Sequence, residues 1–549
     1  MLSYRKLAMR VLGRPLHTGG NDSPRPASQR AAALVLTAAM LTTLAAPAFA
    51  ETWYIENGNI TVKAGDTEGT NKVSQGTIID KVDTNTIITN KNTDIASSNT
   101  VTIEANGKND KVEVTLKDVN IDTSSRNNAA VSVTGSGNTT IKLDGDNALK
   151  SDTYRSGIYG SGSLTISGGE NDSLTAQGGS GANGISSSGS LTISGGTVTA
   201  TGGNSTGIVG YGGSGIYSSS GVAISGGAVT ANGGDSKDGY GGNGIYSSGG
   251  VTISSGSTVT ANGGNGEDGS GGRGITSNGG VTVSGGTVNA KGGSGKNGNG
   301  GDGIRSFNPV AISGGTVNAN GGNSDYSNGG DGIRSLDHVA ISGGTVKSNG
   351  GSGNLSGGNG IISYDIDLSG SLELTAKAGS PNGKALSQNG KELDLDTINK
   401  DKLGPGAKVT TTDANGETKE VSIPLPVEPE KPVIPEESSS SSDGGSATPS
   451  APASFLPGLT VTDKDGQRIS YTSTQSGNTL TVCVGRFTAS LRASLSALRQ
   501  LRAEGIETIT FQTILCSTTL SVDELLAMGG EDAEAVLTHR FTASSLTVG

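Results

Sequence analysis

The sequence has 549 residues, of which 92 are glycine, and a formal net charge of −11. A chain this acidic lacks the basic surface that nucleic-acid-binding proteins present, so we expect no nucleic-acid partner. Its three histidines and two cysteines form no HExxH or CxxC zinc motif, and no Ser/His/Asp triad can be assembled in the repeat. We therefore expect neither a zinc hydrolase nor a serine hydrolase.

Residues 1–50 have the pattern of a secretory leader. Six basic residues come first, an apolar run follows from Ala31 to about Ala46, and Ala48-Phe49-Ala50 is a small-x-small cleavage site. The apolar run is short for a membrane span, so we expect a secreted, extracellular protein with no span in the mature chain. That mature chain would carry 33 basic against 49 acidic residues, a net −16, which suits divalent cations as partners.

Residues 51–150 alternate apolar and polar side chains, as in Val112-Glu113-Val114-Thr115-Leu116. This period of two predicts strands, and we assign the segment to an N-terminal cap and the first coils of a β-helix. Trp53, the only tryptophan, is expected to cover the end of the core.

Residues 151–423 contain a repeat that predicts the fold. Gly-Ile pairs recur at intervals of 27–31 residues, and each unit holds three short alternating runs separated by Gly-Gly or Ser-Gly. Three strands and three turns in about 29 residues make one coil of an all-β, single-stranded parallel β-helix, with coils stacked ~4.8 Å apart. We expect a buried column made of the repeated isoleucines: Ile216, Ile245, Ile275, Ile304 and Ile333.

The composition changes after the repeat. Residues 424–457 are rich in Pro, Ser and Gly and are predicted to form a linker. Residues 458–549 indicate a small α+β domain of unknown role. Two runs predict strands there, Leu491, Leu495, Leu498 and Leu501 would share a helical face, and Ser521 would cap a short helix. Cys483 and Cys516 form either a disulfide or two separate thiols.

One column of side chains should point outward from the stack. The residue after each isoleucine of the Gly-Ile pairs alternates to the outer face, and it is aromatic or arginine on several coils. Rings stack on sugars, and guanidinium binds carboxylates in a bidentate fork. We therefore predict carbohydrate binding by Tyr217, Tyr246, Arg305 and Arg334, the alternative being a solvated face with mutually packed tyrosines.

The long loops of the repeat carry carboxylates and asparagines at one corner of the coil. Acidic and amide oxygens on flexible, glycine-rich loops suit calcium. The candidate ligands are Asp235, Asp238, Asp268, Asp302 and Asp331. The alternative is solvated loops in which Asn and Asp side chains stack.

Several strings resemble a known family. Among them are Trp53-Tyr54-Ile55, Leu116-Lys117-Asp118-Val119-Asn120-Ile121 and the repeated Ile-Ser-Gly-Gly-Thr-Val units. Residues 51 to about 390 resemble the secreted bacterial carbohydrate-binding, calcium-binding parallel β-helix family of clostridia and gut Firmicutes. The resemblance implies a right-handed β-helix, calcium ions, and binding of plant cell-wall polysaccharide, including acidic pectic sugars.

These patterns together predict an extracellular, monomeric carbohydrate-binding protein without catalysis, acting on acidic polysaccharide with calcium. Two alternatives stay open. One is a polysaccharide lyase on uronate polymers, in which Arg305 or Arg334 would be the base. The other is a structural adhesin of the bacterial surface.

Overall fold

The computed structural model describes residues 51–425 except 206, 208 and 209, and residues 459–548 except 464–465, 470, 485, 487, 514–516, 529–533 and 541–542. The expected leader, almost all of the expected linker, and Cys516 lie outside the described residues. The chain divides into two compact units, Met1–Val427 and Glu428–Gly549.

The first unit is a parallel β-solenoid of about 13 turns with coils of about 29 residues, which confirms the predicted fold class. Each regular coil contributes one strand to each of three sheets, because the glycine-containing turns fall at the same place in every repeat. Only strands at the two ends pair antiparallel; between them every neighbouring pair is parallel.

The three sheets run along the stack. The strands of each sheet are named in their spatial order, starting at the N-terminal end of the stack. Sheet 1 consists of Thr52–Tyr54, Thr86–Thr89, Lys111–Lys117, Asn138–Asp144, Ser163–Ser167, Leu191–Ile193, Val222–Ile224, Val251–Ile253, Val281–Val283, Val310–Ile312, His338–Ile341 and Asp365–Leu368. Sheet 2 consists of Asn120–Asp122, Asp146–Lys150, Ser173–Gln177, Thr197–Thr201, Gly227–Asn232, Ser257–Asn262, Thr287–Lys291, Thr316–Asn320, Gly344–Asn349, Leu372–Lys377, Lys408–Thr412 and Thr418–Ser422. Sheet 3 consists of Ile78–Asp83, Asn71–Gln75, Ile60–Ala64, Val101–Ala105, Val131–Gly135, Ile158–Gly160, Ile185–Ser187, Ile216–Ser218, Ile245–Ser247, Ile275–Ser277, Ile304–Ser306, Ile333–Ser335, Ile361–Ser363, Leu386–Gln388 and Lys391–Glu392.

The core is a set of columns, one residue per coil. The five predicted isoleucines pair in register along sheet 3, and all are 0% exposed, which confirms that column. Sheet 2 contributes alternating Val and Ala columns, such as Val259 and Ala261, which are also 0% exposed. Small alanines here leave room for the larger isoleucines and valines of the other sheets, as close packing of a narrow interior requires.

The two ends of the solenoid are closed by short antiparallel pairs and three 3₁₀ helices, Ile55–Asn57, Leu395–Thr397 and Lys400–Lys402. Trp53 is buried at the N-terminal end, where its Nε1–H donates to the Asp83 carboxylate at 2.8 Å. It is thus a capping residue, as expected. Caps of this kind keep the end strands from pairing with other chains.

The glycine-rich loops between sheets 2 and 3 are held against the neighbouring coils by backbone hydrogen bonds. Glycines at the two ends of successive loops form a zigzag. The backbone N–H of each donates to the carbonyl oxygen of the preceding one, and each hydrogen bond is 2.8 or 2.9 Å long. We call this set the glycine ladder: Gly203, Gly213, Gly234, Gly242, Gly264, Gly272, Gly293, Gly301, Gly322, Gly330, Gly351, Gly358 and Gly379. A Cβ built on Gly242 would lie 1.9 Å from the carbonyl oxygen of Gly213, so only glycine allows this approach.

The second unit has two four-stranded sheets around one core. The strands are Leu459–Thr462, Thr472–Ser476, Thr479–Cys483, Ala489–Ser494, Thr508–Gln512, Ser517–Ser521, Glu534–Arg540 and Ala543–Val548, and the α-helices are Leu495–Ala503 and Val522–Met528. Thr479–Cys483 pairs parallel with Thr508–Gln512, as a βαβ-like crossover requires. The predicted helical position of Leu491 was wrong. This residue lies in the strand Ala489–Ser494, whose alternating burial continues up to Ser494, the N-cap of the first helix. In the described part of the chain, none of the helices has the length and apolar character needed to cross a bilayer.

Candidate functional site

The predicted outward column exists and follows the register of sheet 3. Tyr217 lies beside Tyr246, and Arg305 lies beside Arg334, each pair one coil apart. Thr276 occupies the coil between them and is only 2% exposed. The structure therefore brings the four predicted carbohydrate contacts onto one line, divided into an aromatic part and a cationic part.

The sequence also contains a second tyrosine pair that the prediction missed. Tyr211 and Tyr240 each precede two glycines of a loop, and their rings are parallel at 5.4 Å between centroids. The rings of Tyr217 and Tyr246 stack in the same way at 5.2 Å. The signal that would have found the missed pair is an X-Gly-Gly string once per repeat, whose first residue is Tyr211, Tyr240, Ser270, Asn299, Asn328 and Ser356 on successive coils.

Both tyrosine pairs line a single cavity of about 570 Å³. The sheet side carries Tyr217 and Tyr246, the loop side carries Tyr211 and Tyr240, and glycines with a few Ser and Asn residues lie between them. An adjoining cavity of about 290 Å³ is lined by arginines, aspartates and the loop-side Asn and Ser residues. The two cavities share Ser270 and Arg273 in their lining, so they form one groove along the solenoid axis.

A ladder of Asn and Asp side chains supports the sheet side of this groove. Each of these side chains accepts a hydrogen bond from the backbone N–H of the equivalent residue on the next coil. The Asn243 Oδ1 accepts from Arg273 at 3.0 Å, Asp302 from Asp331 at 3.0 Å, and Asp331 from Asn359 at 2.6 Å. Asp302 and Asp331 are only 7% and 5% exposed, so part of their role is to hold consecutive coils together.

The arginines of the groove pair with these two aspartates. The Arg334 guanidinium is 3.2 Å from the Asp331 carboxylate, and Arg305 is 3.6 Å from Asp302. A third arginine that the prediction did not include, Arg273, lies 3.4 Å from Asp302. Three cations therefore share two buried anions. We call these five residues the arginine cluster.

The arginine cluster is electrostatically unbalanced. Burial and then the neighbouring Asp302 raise the pKa of Asp331, whereas burial and then Arg273 lower the pKa of Arg305. The Nε atoms of all three arginines are buried and have no hydrogen-bond acceptor, although that of Arg273 is within ion-pair distance of Asp302. Among the described residues only one other buried side-chain nitrogen or oxygen atom lacks a partner, so unpaired buried donors are concentrated in the arginine cluster.

The five predicted calcium ligands fall in two separate places. Asp302 and Asp331 belong to the arginine cluster. Asp235, Asp238 and Asp268 lie in the outer parts of the loops, where Asp235 accepts from the Asn265 N–H at 2.6 Å and Asp268 from Asn297 at 2.8 Å. Within the described ranges, no group of three or more His, Cys, Asp or Glu side chains is arranged to hold a metal ion. Calcium binding stays a prediction.

Comparison with known proteins found no relative. No family model matches the sequence, and neither a curated protein nor a solved structure matches the chain. A function can therefore be inferred only from the groove itself.

Proposed function

We propose that the groove binds an acidic polysaccharide, without cleaving it, with the sugar chain lying along the solenoid axis. The observation that carries this proposal is the order of side chains along one groove, two stacked tyrosine pairs followed by three arginines. Aromatic rings pack against the apolar faces of sugars, and arginine forks bind carboxylates.

The spacing of the solenoid favours a chain ligand over a small molecule. Successive coils are ~4.8 Å apart, which is close to the length of one sugar unit. A polysaccharide running along the axis would therefore meet one side chain of the groove per residue. A single monosaccharide would contact only one or two coils.

The charge of the protein limits which parts of a bound ligand can be negatively charged. The expected mature chain has a net charge of −16, from 33 basic and 49 acidic residues, which opposes anionic ligands at long range. Binding must therefore depend on the local arginines, with calcium as a proposed bridging ion. Added salt should weaken the arginine contacts, and a chelator should weaken any calcium contribution.

The direct test is an array of plant cell-wall polysaccharides probed with the parent protein, with and without chelator. The variant Tyr217→Ala with Tyr246→Ala should lose binding to neutral and acidic glycans alike. Tyr159→Ala is the matched control, because this exposed tyrosine lies in the same column but does not line the groove. If no glycan binds while cells or proteins do, the adhesin alternative replaces this proposal.

The arginines need a different variant, because Arg334→Ala alone would leave the Asp331 carboxylate buried without its cation. Asp331→Asn with Arg334→Gln removes both charges together. Asparagine already occupies the equivalent position on other coils as Asn243 and Asn359, where it accepts the same backbone hydrogen bond. This double variant should have a lower affinity for acidic glycans and an unchanged affinity for neutral ones. If it binds acidic glycans as tightly as the parent protein does, the role of Arg334 is contradicted.

A second candidate is eliminative cleavage of a uronan, because Arg305 and Arg334 line the groove where a uronate would lie. Burial and then Arg273 lower the pKa of Arg305, which lines the groove. Arg305, in its neutral form, would take the proton from the carbon next to the carboxylate; the C–O bond to the leaving sugar would break, a C=C bond would form, and the leaving oxygen would take a proton from water. Incubation with polygalacturonate and calcium decides: an unsaturated product that absorbs in the ultraviolet establishes a lyase.

A further inference from the structure

We propose that the groove selects a polysaccharide whose negative charge is sparse, with uncharged sugars over the tyrosines and about one unneutralised acidic group at the arginine cluster. This inference rests on the proposed function and specifies its ligand class. It differs from binding to a homopolymer of uronic acid, in which every sugar carries a carboxylate.

The tyrosine half of the groove offers no cation to an anion bound over the tyrosines. Its lining consists of the four tyrosines, glycines, Ser and Asn, and its only charged member is Arg273 at the junction with the second half. A carboxylate placed over Tyr217 or Tyr246 would lose part of its hydration and gain no cation. Acidic sugars on these coils should therefore weaken binding rather than strengthen it.

The arginine half has one positive charge in excess. Arg273, Arg305 and Arg334 face Asp302 and Asp331, and the two aspartates are 7% and 5% exposed. The three unpaired Nε–H groups show that the aspartates do not satisfy all of the guanidinium donors. One carboxylate, or another small oxyanion on a sugar, would neutralise the excess charge and accept hydrogen bonds from the exposed parts of these arginines, whose side chains are 22–36% exposed.

A second acidic group on the next coil would lie beside Asp331, whose charge is already balanced by Arg334. Like charges in a poorly solvated site repel, and the burial that raises the pKa of Asp331 shows that this site disfavours further negative charge. The net negative charge of the whole chain acts in the same direction. Dense polyanions should therefore bind more weakly than sparsely charged chains.

The test uses pectins that share one backbone and differ only in the fraction of free carboxylates, measured by calorimetry at one ionic strength with the full-length protein. We expect affinity to be greatest at an intermediate fraction and about fivefold lower for fully de-esterified polygalacturonate, the size of one exposed ion pair. Asp331→Asn, which raises the excess charge from one to two, should move the optimum toward more densely charged pectin.

Affinity that rises steadily with carboxylate content would overturn this inference while leaving polysaccharide binding intact. Equal affinity across the series would also overturn it. If no pectin in the series binds to protein that melts cooperatively, the proposed function fails and the inference fails with it. If Asp331→Asn does not fold, the optimum measured with the parent protein decides alone.

Discussion

The tyrosine half and the arginine half of the groove have the same backbone and different chemistry. Under the tyrosines, the Gly242 N–H donates to Gly234; under the arginines, the Gly330 N–H donates to Gly322, and both bonds are 2.8 Å long. The strands that carry Tyr246 and Arg334 are three residues long and pair in the same parallel register. Only the outward side chains change.

This difference shows how a solenoid separates the stability of a groove from the character of its ligand. The inward isoleucines and the glycine ladder set the shape of every coil in the same way. The outward residues contribute little to the core, so a change from tyrosine to arginine converts an aromatic platform into an anion site two coils further on. Variants of the core, of the ladder and of the groove test that separation.

The largest effect is expected from a charge in the shared core. Ile275 is 0% exposed and lies on the coil between the two halves. Ile275→Asp would bury an unpaired carboxylate and should lower the free energy of unfolding by roughly 4 kcal/mol or more. Chemical denaturation measures the loss. Ile275→Val, expected to cost about 1 kcal/mol, is the control; a tolerated aspartate would contradict the stacked core.

The glycine ladder should be equally intolerant in both halves. A Cβ on Gly242 would lie 1.9 Å from the oxygen of Gly213, and one on Gly330 would lie 2.0 Å from that of Gly301. Each alanine variant should therefore lose roughly 1–3 kcal/mol of unfolding free energy through overpacking. The melting temperatures of the two variants report this loss.

The control for the ladder is Gly221→Ala, whose Cβ would be 3.5 Å from the nearest backbone atom outside its chain neighbours. Its stability should be unchanged or slightly higher, because alanine restricts the unfolded chain. Unequal losses for Gly242→Ala and Gly330→Ala would show that the two halves do not share one backbone design.

The two tyrosine pairs should separate binding from stability. Tyr211 and Tyr240 are 58% and 52% exposed, whereas Tyr217 and Tyr246 are half-buried against the sheet. Tyr211→Ala with Tyr240→Ala should weaken glycan binding about tenfold, or ~1.4 kcal/mol, and leave the melting temperature unchanged. The sheet-side pair should lower both. Calorimetry and thermal unfolding on the same samples test this, and full binding by the loop-side variant would remove that pair from the site.

The smallest effect is a pH dependence confined to the arginine half. Because burial and Asp302 raise the pKa of Asp331, the folded protein holds that proton more tightly than the unfolded chain does. The resulting stability is fully present below the unfolded pKa, about 4, and is lost as pH rises through the raised folded pKa. Asp331→Asn should flatten this part of the profile of denaturation midpoint against pH; an unchanged slope would show that another group titrates there.

The sequence by itself determined the solenoid and one side of the groove. A repeat of about 29 residues with period-two runs requires parallel strands in register, so Ile216 to Ile333 had to stack inward, and Tyr217, Tyr246, Arg305 and Arg334 had to share an outer line. Alternation along a strand fixes the direction of each side chain, and for that reason these positions were predictable without coordinates.

Only the tertiary structure decided what faces that line. The loops have no period of two, and their path is set by glycine-to-glycine hydrogen bonds between coils, so nothing local indicated that Tyr211 and Tyr240 would line the same cavity as Tyr217 and Tyr246. The same applies to Asp302 and Asp331, expected as calcium ligands but lying within ion-pair distance of arginines from their own and neighbouring coils. Contacts between residues about 29 positions apart depend on the exact stacking of coils, which the composition of any one repeat does not specify.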